Sequence, residues 1–493
     1  MKTTLIVMAL SFSFLKGFGQ VGINTTSPEA QLDIRSSNQA LPSNTDGVLI
    51  PKIDDFPVVN PTASQQGMLV YLTPVLGLNP AGFYYWDDIT TSWISLGGST
   101  TNWSILGNSG TNPATHFIGT SDDTDLVLKR NNVQAGKLSV SSTSIGVNSL
   151  NPINSGIGNS AIGTETLMAN TTGNFNTAIG DNALKSNTIG VDNTAVGAYA
   201  LNSNLNGNYN QASGTNALRA NTSGSYNAAN GARALFSNTQ GSLNTASGSG
   251  AMYLNTTGAN NTAIGFSALF NNVAGSNNTA VGLEALQSNT SGSNLTAIGF
   301  QSLFTNSSGV ENTALGYQSL LLNTAGSYNT GSGMYALRNN TTGGENSAFG
   351  AYALIQNTIG NYNTSAGTSS LRLNVSGSRN AAFGNSALYS NTSGNDNSSF
   401  GYGSLYRNTL GYYNTAIGSN SMLNNTDGWA NVACGVATLS NNTTGIGNTS
   451  VGYRANFLNT TGSDNTTLGN QAMYSSTTSS GNTAIGTLHY NQM

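Results

Sequence analysis

Asn159-Ser160-Ala161-Ile162-Gly163 is one copy of a pattern that recurs with a 17-residue period along most of the chain, and this recurrence indicates the class of fold. The residue that ends the pattern is glycine at every step from Gly146 to Gly486, which is (486 − 146)/17 = 20 steps without an interruption. A second series of glycines keeps the same period from Gly156 to Gly462. A fixed period of this length is typical of stacked repeat architectures, in which each unit contacts mainly its neighbours.

Positions within a repeat are counted here from the first glycine, which is position 0, so that the second glycine stands at +10. Asparagine occupies position −4 in nearly every repeat, with Ser142 and Leu295 as exceptions, and it recurs at +7. Alanine is common at −2, an apolar residue at −1 and leucine at +4. Two glycines in each repeat disfavour a helix, since each costs up to about 1 kcal/mol relative to alanine in a helix interior. The apolar segments have strand length instead, and we expect both glycines to turn corners with positive φ.

Stacked coils place each residue over its equivalent in the next coil, about 4.8 Å away. Asparagine side chains at equal positions can then hydrogen-bond along the stack, as they do in cross-β structures. We therefore predict an all-β fold, an elongated β-solenoid or β-roll of about twenty 17-residue coils, preceded by a small irregular β region. The residues expected to form the first rungs of this structural ladder are Asn159, Gly163, Asn176, Gly180, Asn193 and Gly197.

Composition excludes several classes of partner. Charged residues make up 7% of the chain and the net charge is −4, so no basic face predicts a nucleic-acid partner. Cys434 is the single cysteine, so no disulfide can form within the chain, and its position at −1 predicts a small buried hydrophobe. No sequence motif predicts a cofactor or a metal site.

The sequence predicts four regions along the chain, of which the 17-residue repeat is the last. Residues 1–19 are predicted to be a secretory signal peptide, with Lys2 before the apolar run Leu5–Leu10 and cleavage before Gln20. The mature protein would then be secreted or held at the outer cell surface, without a transmembrane segment. Residues 20–100 are predicted to be a small β region, 101–142 a β connector and 143–493 the repeat rod. All nine prolines lie at or before Pro152, which agrees with a continuous ladder beyond that point.

The N-terminal region carries short strand signals. Gly47–Ile50 and Gly67–Tyr71 are predicted to be short buried strands, and Phe83–Trp86 with Ser92–Leu96 a hairpin. The aromatic residues of this hairpin could provide a sugar-binding platform. The interpretation we favour is a small hairpin core that needs its aromatic rings for stability.

The Asn-Thr-Ala-Ile-Gly series, as at Asn261–Gly265, resembles the head repeats of trimeric autotransporter adhesins and related arrays in phage tail-fibre-like surface proteins. The resemblance covers residues 143–486. It implies a left-handed parallel β-roll, three chains packed side by side and a role in attachment. The coiled-coil stalk and C-terminal membrane barrel of those adhesins have no counterpart in this sequence, so the mode of anchoring is open.

An apolar stripe recurs at position +5 and supports a homotrimer independently of the resemblance, because long exposed apolar stripes mark interfaces. We predict that this stripe is a subunit seam, with a ligand-binding strip as the alternative. Its members are Phe236, Tyr253, Phe270, Phe304, Leu321, Ile355, Tyr389 and Tyr406.

The search for catalytic chemistry finds little. His116 and His489 are the only histidines, the acidic residues of the repeats stand at different offsets, and Ser121–Asp125 is predicted to be a solvated turn. The predicted function is therefore that of a non-enzymatic adhesin-like rod, which attaches multivalently to an unidentified glycan or protein receptor on cells or matrix. The alternatives are a tail-fibre-like structural spacer, and a solenoid that orders water on threonine rows at −3 and +8.

Overall fold

The computed structural model describes residues 19–77, 79–96, 112 and 117–487, which form two compact units, 1–119 and 120–493. Residues 1–18 of the predicted signal peptide lie outside this description, as do His116 and His489. Among the described residues, no helix is both long and apolar enough to cross a membrane.

The first unit contains two small sheets. Strands β1 (Val21–Ile23) and β2 (Leu32–Ile34) pair in parallel. The second sheet has the order β3 (Lys52–Ile53), β4 (Leu69–Leu72), β5 (Gly82–Asp87) and β6 (Ser92–Ser95), with a 3-10 turn at Ala63–Gln65 between β3 and β4. Strand β3 is parallel to β4, and the other two pairings are antiparallel.

The predicted hairpin is present and supplies the core of this unit. Trp86 lies opposite Trp93 across β5 and β6, with the two rings edge to face at 5.7 Å between centroids. Tyr84 and Trp86 are buried, and Phe56 contacts both Tyr84 and Trp93. The hairpin aromatics therefore serve mainly as core side chains, because a sheet this small has few other apolar groups to bury.

The prediction of a buried strand at Gly47–Ile50 is wrong. No strand forms there, and Leu49 is 83% exposed. Pairing with β4 begins only at Pro51, whose carbonyl accepts the Tyr71 N–H at 2.9 Å. Because Pro51 has no N–H to donate, it can begin a strand pairing but does not extend a ladder into the residues before it.

Asp46 organises the loop between the two sheets of the first unit. Its carboxylate accepts hydrogen bonds from the Ser37 N–H at 3.1 Å and the Ser43 N–H at 2.7 Å, and from the hydroxyls of Ser36 and Ser37 at 2.8 Å each. These bonds, of which the Ser37 N–H contributes most, lower the pKa of Asp46 to about 2.

The second unit is one continuous parallel ladder that starts from a hairpin. Strand β7 (Leu126–Arg130) pairs antiparallel with β8 (Val133–Leu138), which pairs antiparallel with β9 (Ser142–Ile145). From β9 onward each strand is parallel to the next, in the register that the sequence repeat predicts. The ladder strands after β9 are β10 (Asn159–Ile162), β11 (Thr177–Ile179), β12 (Thr194–Val196), β13 (Gln211–Ser213), β14 (Ala228–Asn230), β15 (Thr245–Ser247), β16 (Thr262–Ile264), β17 (Thr279–Val281), β18 (Thr296–Ile298), β19 (Thr313–Leu315), β20 (Thr330–Ser332), β21 (Ser347–Phe349), β22 (Thr364–Ala366), β23 (Ala381–Phe383), β24 (Ser398–Phe400), β25 (Thr415–Ile417), β26 (Val432–Cys434), β27 (Thr449–Val451), β28 (Thr466–Leu468) and β29 (Thr483–Ile485).

The structure confirms the predicted all-β solenoid and its register. The core of each coil is thin and consists of positions −2, +3 and +4, represented by Ala195, Ala200 and Leu201, all fully buried. Position −1 was also expected to be buried, but Val196 is 39% exposed and Cys434 is half-buried. The reason is the two-residue period of a strand, which turns −3 and −1 outward when −2 points inward.

The corners of the coil differ from the prediction that both glycines turn them with positive φ. The first glycine does so, with φ +134° at Gly197, but the second, such as Gly207, does not. The left-handed corners are taken by non-glycine residues at +2, +4 and +12, represented by Tyr199, Leu201 and Tyr209 with φ of +58°, +49° and +56°. Each costs about 1–2 kcal/mol locally, and the hydrogen bonds to neighbouring coils hold it in place.

Candidate interface and binding surfaces

The interior of each coil is joined to its neighbours by asparagine side chains at −4. Asn193 Nδ2 donates to Asn176 Oδ1 at 3.1 Å and to the Gly207 carbonyl at 2.9 Å. Asn193 Oδ1 accepts from the N–H and Nδ2 of Asn210 at 3.0 and 3.1 Å. The side-chain amide thus makes four hydrogen bonds while fully buried, which is what a buried polar group requires. Asn159 and Asn176 are bonded in the same way one rung earlier.

A second row of buried asparagines occupies +7. Asn204 Nδ2 donates to Asn187 Oδ1 at 2.8 Å and to the Gly207 carbonyl at 3.0 Å. The Gly207 carbonyl therefore accepts from both asparagine rows and closes the coil. Because these side chains are buried and bonded, the Asn-Thr-Thr and Asn-Thr-Ser sequences that begin with them are inaccessible to glycosylation in the folded protein.

The two glycine rows exist because successive coils approach too closely for a side chain. A Cβ at Gly180 would lie 2.7 Å from the Gly197 carbonyl carbon, and one at Gly163 would lie 2.7 Å from the Gly180 carbonyl oxygen. A Cβ at Gly207 would lie 2.3 Å from the Gly224 carbonyl oxygen. Distances below 3.0 Å to backbone atoms force the coils apart, so glycine is the only residue that fits.

The +5 stripe predicted from the sequence forms a stack of half-buried side chains. The rings of Phe236, Tyr253 and Phe270 stack with centroids 4.9 Å apart and planes within 4°. Tyr389 and Tyr406 stack at 4.9 Å. Phe304 and Ile355 are half-buried and Leu321 is 7% exposed.

Arginines at position +5 stand one coil before two of the aromatic runs of this stack. The Arg219 guanidinium lies 5.7 Å from the Phe236 ring centroid and 5.3 Å from that of Tyr199. Arg372 similarly lies between Tyr352 and Tyr389, at 5.0 and 5.7 Å. The rings therefore present their edges to the surroundings while their faces are covered by neighbours along the stack.

The outer face of the ladder is made by positions −3 and −1. Apolar side chains at −1 are more open than those at +5, with Ile298 43% and Phe400 40% exposed. The Phe383 and Phe400 rings stack at 4.9 Å along this row. Threonine hydroxyls at −3, such as that of Thr296, make no hydrogen bond to any residue within the described ranges. This face therefore offers a row of apolar groups beside a row of unpaired hydroxyls.

The threonines at +8 are not a second open row. The Thr188 hydroxyl donates to the Leu205 carbonyl of the next coil at 2.9 Å, and the Thr222 hydroxyl donates to the Thr239 carbonyl at 2.9 Å. These hydroxyls hold coils together, so a water-ordering surface would have to depend on position −3 alone.

Groups with catalytic or metal-binding chemistry do not converge in the described part of the chain. There, no cluster of three or more His, Cys, Asp or Glu residues could hold a metal ion. Asp125 of the predicted solvated turn forms an ion pair with Lys137. Asp396 accepts two hydrogen bonds from Arg379, and these hold the pKa of Asp396 below its usual value.

The first unit leaves many large apolar side chains in water when it is a single copy. Val58 is fully exposed, Ile89 is 90% exposed and Val59 is 83% exposed. Exposed apolar surface is typical of sites that interact with other proteins. None of these three residues lies in the runs predicted to be strands, and periodicity alone does not say which chain covers an apolar side chain.

Comparison with known proteins agrees with this surface. Residues 22–111 match the family described as the phage tail like trimerisation region. No curated protein and no solved structure matches the chain. The trimerisation match and the β-solenoid of stacked coils fit a phage-tail-fibre-like repeat protein, which confirms that part of the predicted resemblance. The match also supports self-association.

Proposed function

We propose that this protein is a tail-fibre-like, non-enzymatic rod in which the N-terminal unit joins three copies and the repeat unit provides length. The observation that carries the proposal is the trimerisation match at residues 22–111, together with the continuous ladder of stacked coils. The buried asparagine rows give the ladder its register, and the exposed apolar groups of the first unit provide the association surface.

The test is the molar mass of the full chain in solution, measured by light scattering after size exclusion. We expect three copies for the natural chain and one copy for the double variant Val58→Asp, Val59→Asp, because buried carboxylates would oppose association. Val140→Asp is the matched control, since Val140 is 93% exposed but lies outside the trimerisation match. A monomeric natural chain would refute the proposal.

We further propose that the −1 row, in place of the +5 stripe that the sequence analysis predicts, is the seam between copies of the rod, and that the +5 side faces ligands, the alternative given there. The greater exposure of the −1 side chains supports the first assignment. If the −1 rows face the axis of a parallel threefold assembly, equal positions lie around that axis, so Cys434 of neighbouring copies would lie near each other.

Attachment and export are the finer parts of the proposal. We infer that residues 1–19 direct export and that the exported rod binds a receptor through many weak, repeated sites. Multivalent binding raises the apparent affinity by about 10²–10⁴ without new contacts. The N-terminal sequence of protein recovered outside the cell should begin at Gln20, and the monomeric double variant should lose most binding to receptor-coated surfaces. Retention of residues 1–19 or equal binding by the monomer would contradict these parts.

A further inference from the structure

A groove lies on the repeat unit where a side chain is missing from position +2. Gly403 and Gly250 are the only glycines at +2 in the ladder, and both have the left-handed φ typical of that position, +62° and +68°. At Gly250 the Phe270 ring closes the space, 3.4 Å from where a Cβ would stand. At Gly403 the Asn420 Oδ1 lies 2.7 Å from where a Cβ would stand, and an open groove lies beside these two residues.

The groove at Gly403 has a volume of about 290 Å³. Tyr406 of the +5 stripe and Leu423, which stands at +5 one coil later, lie along it, and Tyr402 lines it with 62% of its surface exposed. It is lined by Ser386, Tyr402, Gly403, Tyr406, Arg407, Asn420, Leu423 and Asn424.

Three polar side chains of the lining make no hydrogen bond within the described part of the chain. The Arg407 guanidinium, the Asn420 amide and the Tyr402 hydroxyl have no hydrogen-bond partner among the residues that the structure describes. Asn424 Nδ2, by contrast, donates to Asn441 Oδ1 at 3.0 Å. Arg407 is also the only charged residue of the lining. An aromatic surface with a few unpaired donors and acceptors is the usual composition of a small-ligand site.

We propose that this groove binds a sugar ring carrying a carboxylate, as found in acidic polysaccharides. A sugar has an apolar face of C–H groups that matches the exposed Tyr402 ring, and hydroxyls that match Asn420 and the Tyr402 hydroxyl. Its carboxylate would receive the bidentate donors of Arg407, which favour a planar anion. The inference deepens the attachment role proposed above and gives it a ligand class.

The experiment uses the full chain and saturation-transfer NMR with methyl glucuronide and, as its uncharged equivalent, methyl glucoside. We expect millimolar binding of the glucuronide, because a single ring offers few contacts. Gly403→Gln should weaken it at least tenfold by filling the groove, since Gln301 and Gln318 occupy the same +2 position with φ near +50°. Gly250→Gln is the matched control, nine coils away in the same position, and should bind as the natural chain does.

A second variant tests the role of charge. Arg407→Gln should remove the preference for the glucuronide over the glucoside and leave the glucoside signal. No saturation transfer to either glycoside, or equal binding by Gly403→Gln and the natural chain, would overturn the inference. Light scattering of the same samples reports the number of copies, so the failure of this groove is distinguishable from the failure of the trimeric rod.

Discussion

Leu295 interrupts the −4 asparagine row and allows the contribution of that row to be measured. Leu295 is 1% exposed and keeps its backbone bond, in which its N–H donates to Asn278 Oδ1 at 3.0 Å. Its side chain provides no acceptor for the next coil, so the buried Asn312 N–H has no partner within the described residues. One rung later the ladder resumes, with the Asn329 N–H bonded to Asn312 Oδ1 at 2.9 Å.

We predict that Leu295→Asn stabilises the protein by about 2 kcal/mol, the difference between the hydrogen bonds gained and the apolar burial lost. An asparagine in this row makes four side-chain hydrogen bonds, as Asn193 does. At about 1 kcal/mol net for each, they contribute about 4 kcal/mol. Loss of the buried leucine side chain costs about 2 kcal/mol in return. The reverse change, Asn193→Leu, should destabilise by a similar amount.

The assay is amide hydrogen exchange read at single residues. Because interactions in a stacked ladder are mainly between neighbours, the effect should be concentrated at Asn312 and the coils beside it. A gain of about 2 kcal/mol corresponds to an exchange rate at Asn312 that is slower by about 30-fold. The Asn329 amide, which is already bonded, is the internal reference. Unchanged or faster exchange at Asn312 in Leu295→Asn would show that the asparagine row does not stabilise the ladder.

Three further predictions concern other parts of the molecule. In Gly214→Ala the new Cβ would lie 2.7 Å from backbone atoms of the next coil, so the free energy of unfolding measured in urea should fall by at least about 3 kcal/mol. Gly250→Ala should lower the free energy of unfolding by about 1 kcal/mol. Equal effects of the two substitutions would contradict the explanation by close approach of successive coils. The lowered pKa of Asp46 means that its stabilising effect is present above its unfolded pKa near 3.9 and is lost as the pH falls toward 2. The thermal midpoint of the first unit, followed by tryptophan fluorescence, should therefore fall as the pH is lowered from about 4 to about 2, the range between the unfolded and folded pKa values of Asp46. The fall should be larger in the natural chain than in Asp46→Asn, and parallel curves for the two proteins would refute this. Mild oxidation of the full chain with copper phenanthroline should yield a disulfide-linked pair through Cys434, and its absence from a trimer would place the −1 row away from the seam.

The repeat, its register and the class of fold are all predictable from the amino-acid sequence. Strict recurrence of glycine and asparagine at 17-residue spacing requires coils that lie directly on one another, since only then does the same position meet the same constraint each time. The buried environment of Asn193 and the close approach at Gly180 follow from that stacking. The paired hairpin at Trp86 and Trp93 was also predictable, because its two apolar runs are local and separated by a turn.

Which side of each coil faces outward depends on tertiary packing and cannot be read from the sequence pattern. Val196 and Leu201 are both apolar, but the two-residue period of the strand exposes the first and the left-handed corner at +4 buries the second. Sequence patterns give no reason to place leucine at φ +49°, because that cost is offset by contacts with the coils on either side. The groove at Gly403 likewise depends on which neighbouring side chain lies against the glycine at position +2. It is Phe270 at one glycine and Asn420 at the other, and this difference arises from packing between successive coils.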